Sequence, residues 1–137
     1  MSEILEGGCL CGSVRYRLEG EPLDAGWCHC RLCQRSTGAP AVPWGTWPVA
    51  ALRFTQGQAS RFKSSAKGRR DFCPQCGTQL VFRAAEDSRT LDVTLASLDD
   101  PTAVAPQYHI WTMSQIPWVK LADGLLRHRE RGPDSWD

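Results

Sequence analysis

The chain has 137 residues, 42% of them hydrophobic, and its 16 basic and 15 acidic side chains leave a formal net charge of +1 at pH 7. This length fits a single domain with its own core, and the near-neutral charge argues against a protein whose main role is to bind nucleic acid backbones. No stretch approaches the roughly 20 apolar residues that cross a bilayer, and the N-terminus lacks the features of a secretory signal, so we expect a soluble, cytoplasmic protein without membrane partners.

Alternation of apolar and polar residues predicts a mostly β protein with little helix. Between residues 12 and 18 every second side chain is apolar, which is typical of a half-buried strand. Short helical turns are expected at 32–36 and after Pro101. Further strands, each bounded by turn residues, are predicted at 52–55, 60–63, 79–83 and 91–95.

The cysteines form three clusters rather than being spread along the chain. The clusters are Cys9 with Cys11, then Cys28, Cys30 and Cys33, then Cys73 with Cys76. Four ligands complete the coordination of a tetrahedral zinc ion. Two pairs and a triplet of cysteines therefore predict one complete four-thiolate site and one three-thiolate site with an open coordination position. A disulfide framework is the alternative, but the cysteine number is odd and Cys-x-Cys neighbours rarely bridge.

The pair Cys73 and Cys76, followed by Gly77, has the pattern of a zinc knuckle. The two-residue gap brings both sulfurs to one ion, and the glycine permits the positive φ that lets backbone amides approach the thiolates. Cys9 and Cys11, with a glycine on each side, are expected to complete this structural site. The alternative is that they are simply buried thiols.

The triplet Cys28, Cys30 and Cys33 has the spacing to place three sulfurs on a second ion within one loop. The histidines that could supply a fourth ligand are His29, His109 and His128. Otherwise a water molecule or an incoming thiol takes that position. Because zinc lowers the pKa of a bound thiol, such a site would present an activated sulfur at neutral pH.

Three runs of sequence carry a resemblance to a known family. They span residues 7–16, 28–40 and 68–80 and include all seven cysteines, and further similarity lies at 97–101, 106–110 and 118–124. These runs resemble the glutathione-dependent formaldehyde-activating enzyme (GFA) family, also called the centromere protein V/GFA domain. The resemblance covers roughly residues 5–126 of what we expect to be one domain, 1–137, whose tail at 127–137 is expected to be loosely held.

The resemblance implies a mostly β fold similar to the Mss4-like architecture, built around two zinc ions per chain. It assigns the structural ion to Cys9, Cys11, Cys73 and Cys76, and the active-site ion to Cys28, Cys30 and Cys33. The family's named reaction joins formaldehyde to glutathione to give S-hydroxymethylglutathione, formally a carbon–sulfur lyase reaction run in reverse. We therefore expect a carbon–sulfur lyase whose partners are a small thiol, glutathione, and a small aldehyde.

The expected mechanism rests on thiolate formation and proximity. The thiol of glutathione either binds at the three-cysteine zinc as a thiolate or displaces protein ligands of that zinc, and the carbonyl carbon then meets the positioned sulfur. Water or a nearby residue delivers the proton to the developing alkoxide. His29 and His109 are the candidate proton donors. Asp99 and Asp100 are acid–base candidates as well, although a turn or cap is the simpler role for them.

The segment from Arg61 to Arg70 carries five positive charges and no negative one. A solvated strand and turn is the default interpretation, followed by a clamp for the carboxylates of glutathione and then a nucleic-acid contact. Two other function classes stay open. One is a non-catalytic zinc module that binds or carries glutathione adducts, and the other is a zinc domain that binds protein or nucleic acid. The oligomeric state is not predicted.

Overall fold

Strands dominate the structure, a computed structural model that describes residues 3–132. The strands are β1 (Ile4–Gly8), β2 (Arg15–Glu19), β3 (Asp24–Cys28), β4 (Val42–Pro48), β5 (Leu52–Gln56), β6 (Ser60–Lys63), β7 (Arg69–Phe72), β8 (Gln79–Arg83), β9 (Thr90–Thr94), β10 (Tyr108–Ile110) and β11 (Leu126–Arg127). The α-helix is α1 (Arg31–Thr37), and single 3₁₀ turns occupy Val49–Ala51, Leu95–Ser97 and Thr112–Ser114. The mostly β fold class is therefore confirmed. No helix in residues 3–132 is long and apolar enough to cross a membrane.

Two sheets make up the fold. The smaller sheet has the order β1-β2-β5, and the larger has the order β11-β10-β3-β4-β9-β8-β7-β6. The pairs within the larger sheet are antiparallel from β3 to β6, whereas β10 runs parallel to both β3 and β11. Strands β3, β4 and β9 are consequently central and have neighbours on both sides.

One core joins the two sheets. In β2 the side chains of Tyr16 and Leu18 are fully buried, as the alternating pattern predicted. They share a cluster with Trp47 of β4 and with Leu91 and Val93 of β9. Burying one such side chain contributes about 1.5–3 kcal/mol, so this interface between the sheets supplies much of the stability.

The opposite face of the larger sheet carries a different set of side chains, because successive residues of a strand point to opposite faces. Cys28 of β3, Trp44 of β4, Arg70 of β7, Phe82 of β8 and Ile110 of β10 all line a cavity on that side. The larger sheet therefore separates the core on one face from a concave surface on the other.

Several sequence predictions match the observed elements closely. The strands predicted at 60–63 and 79–83 have the observed bounds of β6 and β8, and those at 12–18, 52–55 and 91–95 correspond to β2, β5 and β9 with ends shifted by at most three residues. The helical turn predicted at 32–36 lies within α1.

Two expectations were wrong. The residues after Pro101 form a turn rather than a helix: the carboxylate of Asp100 accepts hydrogen bonds from the Thr102 amide and hydroxyl, and the Ala103 amide donates to the Asp100 carbonyl. The start of the tail is not loosely held, since the carbonyls of residues 128–130 accept hydrogen bonds from the amides of residues 111–113. The rest of the predicted tail, 133–137, lies outside the described residues.

Candidate active site

Four cysteines that are distant in sequence meet at one end of the molecule. The loop between β1 and β2 carries Cys9 and Cys11, and the loop between β7 and β8 carries Cys73 and Cys76. All four sulfurs lie within 4.8 Å of one another. The amide of Leu10 donates to the hydroxyl of Thr78 at 3.0 Å, which ties the two loops together.

Both loops have the geometry of metal-binding knuckles. Gly12 and Gly77, each directly after a cysteine, adopt φ values of 81° and 83°, so the positive φ expected at Gly77 is confirmed. These turns direct backbone amides at the sulfurs. The amides of Gln75 and Cys76 donate to the sulfur of Cys73 at 3.4 Å.

The other three cysteines surround the beginning of the α-helix. Cys28 ends β3, Cys30 is the N-cap of α1, and Cys33 lies in its first turn. The sulfurs of Cys28 and Cys33 are 3.5 Å apart, and the amide of Cys33 donates to the sulfur of Cys30 at 3.2 Å. The cap of a short helix thus folds the Cys-x-Cys-x-x-Cys run into one cluster whose sulfurs lie within 4.8 Å of one another.

The donor chemistry of both clusters fits zinc. Sulfurs bound at 2.3 Å to one tetrahedral ion would be about 3.8 Å apart. The observed separations are 3.6 Å for Cys9 and Cys11 and 3.8 Å for Cys11 and Cys73. All seven cysteines lie within the described residues and all are free thiols, which excludes the disulfide alternative in this structure. One cluster could supply four ligands and the other three.

Within the triplet, the thiolate form is favoured most at Cys30. Hydrogen bonds from the thiols of Cys28 and Cys33 lower the pKa of Cys30 far below its usual value, and the positive charge of Arg70 adds to the effect. Hydrogen bonds with Cys30 and Cys33, together with burial, raise the pKa of Cys28. The thiol that caps the helix therefore has the lowered pKa of the triplet, and the Cys28 thiol has a raised pKa.

The histidines lie on the other side of β3 and do not join the triplet. His29 Nε2 is 2.9 Å from His109 Nδ1, and His109 Nε2 is 2.8 Å from an Asp123 carboxylate oxygen. Both imidazoles are fully buried, and burial, reinforced by the charge of His109, lowers the pKa of His29 to about 4. His29 points away from its neighbours Cys28 and Cys30 because of strand alternation.

The alternative in which a histidine closes the second site therefore receives no support, and the candidate proton donors His29 and His109 do not line the cavity beside the triplet. None of the histidines within residues 3–132 belongs to the triplet cluster. The ring of His128 packs edge-on against Tyr108, with ring centroids 5.8 Å apart. His29 and His109 form part of a buried hydrogen-bonded row that connects β3, β10 and the Asp123 turn.

Arg70 is the residue that the sequence did not single out from its basic neighbours. It is 2% exposed, and both terminal nitrogens of its guanidinium lie 3.6 Å from the sulfur of Cys33. Its guanidinium carbon is 4.8 Å from the centre of the Phe82 ring, a cation–π arrangement. A divalent ion with three thiolates has a net charge of −1, so this buried cation would neutralise the site.

The rest of the basic segment forms the exposed strand and turn that was the default expectation. Arg61 forms an ion pair with Asp71, directly opposite it in the β6–β7 ladder, and Arg69 pairs with Glu86. Alternation along β7 explains the difference, since Arg69 and Asp71 point to one face and Arg70 to the other. This alternation was the signal that could have identified Arg70.

We expect the replacement of Arg70 by methionine to weaken metal binding at the triplet by about 10- to 100-fold while the four-cysteine cluster keeps its ion. Removing the cation disfavours the thiolates that bind metal, and losses of this size are typical when a group that supports a ligand is removed. Competition with a chelator of known affinity, followed by native mass spectrometry, measures this change. The matched control is Arg69→Met on the opposite face; equal effects of both variants would contradict the assignment.

The acid–base roles considered for Asp99 and Asp100 receive no support. Asp99 accepts a hydrogen bond from Arg15 at 2.8 Å and Asp100 caps a turn. Neither residue lines the cavity beside the triplet.

That cavity has a volume of about 410 Å³, and all three cysteines of the triplet lie in its wall. Most of the remaining wall is apolar. The polar part includes Thr46 and Asp92, which are joined by a hydrogen bond of 2.6 Å from the threonine hydroxyl. The sulfur cluster therefore opens into a space large enough for a small organic molecule.

Trp111 in the cavity wall has an unusual backbone. Its φ of 56° is the one positive value at a non-glycine residue within the described part of the chain. This conformation costs a bulky residue about 1–3 kcal/mol, and such residues concentrate at functional sites. Hydrogen bonds hold it in place: its amide donates to the Glu130 carbonyl at 2.8 Å, and its own carbonyl accepts from the Ser114 amide at 2.9 Å.

The fold and the site together define a class of cysteine-rich β-sheet proteins with one four-thiolate cluster and one three-thiolate cluster, the second of which faces a cavity. The sequence profile of the family described as "Glutathione-dependent formaldehyde-activating enzyme" (GFA) matches residues 4–114. The chain belongs to this family.

Similar proteins have been named in other organisms. An uncharacterized lyase of Schizosaccharomyces pombe is 27% identical over 77 residues, which are 56% of this chain and 56% of that protein, so the match spans about half of the yeast protein's length. A protein of Halomonas elongata, provisionally named a glutathione-dependent formaldehyde-activating enzyme, is 23% identical over 127 residues, covering 86% of this chain and 81% of its own.

A solved structure shares the fold. The crystal structure of a Rhodobacter sphaeroides protein aligns with a TM-score of 0.57 at 20% identity, covering 90% of this chain and 98% of the other. At this level of identity the match concerns the arrangement of the chain and not its chemistry.

Proposed function

We propose that this chain is a zinc-dependent carbon–sulfur lyase of the S-hydroxymethylglutathione synthase type, acting on glutathione and a small aldehyde or on their adduct. The observation that carries the proposal is the placement of the Cys28, Cys30 and Cys33 cluster in the wall of a cavity, beside a buried arginine. Membership of the GFA family and the name of the Halomonas elongata relative support this activity, and the name of the Schizosaccharomyces pombe relative supports a lyase.

We infer a division of labour between two zinc ions. The cluster of Cys9, Cys11, Cys73 and Cys76 would hold a closed, structural ion, and Cys28, Cys30 and Cys33 would hold the second. When bound at the triplet, zinc would supply an open coordination position that favours the deprotonated form of an incoming thiol.

The reaction itself is an addition across a carbonyl group. The thiol sulfur forms a bond to the aldehyde carbon, the carbon–oxygen double bond becomes a single bond, and the thiol proton ends on the oxygen as a hydroxyl. No oxidant or reductant is needed. In the reverse direction the carbon–sulfur bond breaks and the hydroxyl proton returns to sulfur.

The chain's own groups would position this addition. The guanidinium of Arg70 compensates the charge of the thiolates, and the aromatic walls exclude water from the sulfur and the carbonyl. The hydroxyl that forms would find hydrogen-bonding partners at Thr46 and Asp92 in the polar part of the wall. Holding the thiol sulfur and the carbonyl carbon in one cavity converts a bimolecular reaction into an effectively unimolecular one.

The proposal is tested by counting metal and measuring exchange on the same preparation. Native mass spectrometry should find two zinc ions per chain, with glutathione either adding to the complex or releasing one ion. NMR exchange spectroscopy should then show faster interconversion of formaldehyde, glutathione and their adduct than in buffer, since the uncatalysed addition sets the baseline. One zinc ion that is indifferent to glutathione, together with exchange at the buffer rate, would refute the lyase assignment.

A further inference from the structure

The cavity is much larger than formaldehyde requires. Formaldehyde has one carbon and one oxygen, and a molecule of that size occupies about two water volumes, roughly 60 Å³. The cavity measures about 410 Å³ and lies within the range of roughly 300–1,000 Å³ that small-molecule sites have. Space therefore remains beside the sulfur cluster for a substituent on the aldehyde carbon.

The side chains that line the cavity indicate which kind of substituent it would accept. Trp44 and Phe82 contact each other with ring centroids 6.2 Å apart and planes tilted by 54°, the arrangement that aromatic pairs prefer. Ile110 and Trp111 belong to the same apolar cluster as Trp44 and the cysteines Cys28 and Cys33. A group placed against these walls is removed from water without gaining hydrogen bonds, so it must itself be apolar.

Glutathione does not account for these walls. The tripeptide carries two carboxylates and an ammonium group, and burying charges without partners is costly. The buried cation of the wall, Arg70, directs both terminal nitrogens at the Cys33 sulfur and compensates the thiolates. Arg31, an exposed residue that borders the cavity, is the cation suited to a carboxylate at the mouth. The charged peptide therefore fits the entrance, and the apolar interior is left for the other reactant.

We propose that the aldehyde handled at this site carries an apolar substituent, an aryl or branched alkyl group, which packs against Trp44, Phe82 and Trp111. This proposal rests on the proposed lyase function and specifies its substrate class. The atoms balance as they do for formaldehyde: an aldehyde and a thiol combine into a hemithioacetal, with a new carbon–sulfur bond and the thiol proton on the hydroxyl oxygen. The left-handed backbone conformation of Trp111 is consistent with a role in substrate binding, because it occurs at a residue that lines the cavity.

Binding of unreactive thioethers tests the proposal without relying on turnover. Isothermal titration calorimetry of the zinc-loaded protein would compare S-methylglutathione, S-benzylglutathione and N-acetyl-S-benzylcysteine. We expect the benzyl compound of glutathione to bind at least 10-fold more tightly than the methyl compound, because its ring enters the aromatic part of the cavity. Trp111→Ala should reduce this ratio to about twofold, whereas Trp118→Ala, at a residue that is 70% exposed and does not line the cavity, should leave it unchanged.

The outcomes separate this proposal from the proposed function. Equal affinity for the methyl and benzyl compounds would overturn the apolar substrate class and leave a glutathione lyase intact. Tight binding of N-acetyl-S-benzylcysteine, equal to that of S-benzylglutathione, would support the apolar class and overturn glutathione as the thiol. Should Trp111→Ala fail to fold, as judged by circular dichroism, Phe82→Leu provides the second test, and an unchanged ratio in that folded variant would also overturn the proposal.

Discussion

Replacement of Cys73 by serine is expected to abolish the stable fold. The Cys73 sulfur is fully buried in the core that joins the two sheets, and it lies 3.8 Å from the Cys11 sulfur across the interface of the two loops. Structural zinc contributes an apparent 10–16 kcal/mol in zinc-finger peptides, about as much as the ~5–15 kcal/mol total stability of a domain. The loss of one of four ligands is therefore expected to remove most of the folding stability of the domain.

Circular dichroism, a thermal melt and a metal count measure this outcome. Cys73→Ser should lose the cooperative transition, and a strong chelator added to the unaltered protein should have the same effect. The matched control is Pro74→Ala, an exposed neighbour in the same loop that offers no metal ligand. A Cys73→Ser variant that melts at the temperature of the unaltered protein with one ion fewer would show that the four-cysteine cluster is not structural.

Two of the predicted strands, β2 and β9, have one side against the core and follow the two-residue period. β8 was predicted from an apolar run bounded by turn residues, and its adjacent residues Leu80 and Val81 are both buried in the core. β4 was missed because Pro43, Gly45 and Pro48 suggest a break. The glycine is required there: a Cβ atom at Gly45 would lie 2.6 Å from the ring of Trp47. Packing in the centre of the sheet thus overrides the local preference.

The two cysteine clusters could be predicted from sequence because their members are defined by residue type and short spacing. Cys28, Cys30 and Cys33 need only one turn of chain to converge, and the glycines after Cys11 and Cys76 mark their loops. The grouping of the cysteines in the structure follows the predicted pairs and triplet. The role of these cysteines as zinc ligands stays a prediction, and a count of the zinc ions bound per chain tests it.

The surroundings of the second centre could not be predicted in the same way. Arg70 contacts Cys33 only because the sheet places β7 near the triplet, 37 residues away in sequence. Trp111 lines the cavity in a left-handed backbone conformation that hydrogen bonds to the 128–130 segment stabilise. The candidate roles of the histidines lack support for the same reason. His29 is adjacent to two ligands in sequence, yet strand alternation sends it to the opposite face and to His109.

Cys30→Ser is expected to remove the second ion and the lyase activity while the fold persists. Cys30 is only partly buried, and its sulfur interacts with Cys28, with Cys33 and with the helix that it caps. A serine oxygen still caps a helix, so the change in the free energy of unfolding should be about 1 kcal/mol. With two sulfurs left, however, the site lacks the ligands to hold zinc, and the acceleration of exchange should fall by ~100-fold or more.

Cobalt substitution distinguishes the two centres in this variant, because thiolate-to-cobalt charge transfer reports the thiolates around each ion. The unaltered protein should bind two cobalt ions, and Cys30→Ser should bind one with the spectrum of a four-thiolate site. Ser114→Ala, at a cavity-lining residue that offers no sulfur, serves as the control and should retain both ions. A folded Cys30→Ser protein that holds a single ion and still accelerates exchange would remove the triplet from the reaction and leave the four-cysteine cluster as the only metal centre to explain it.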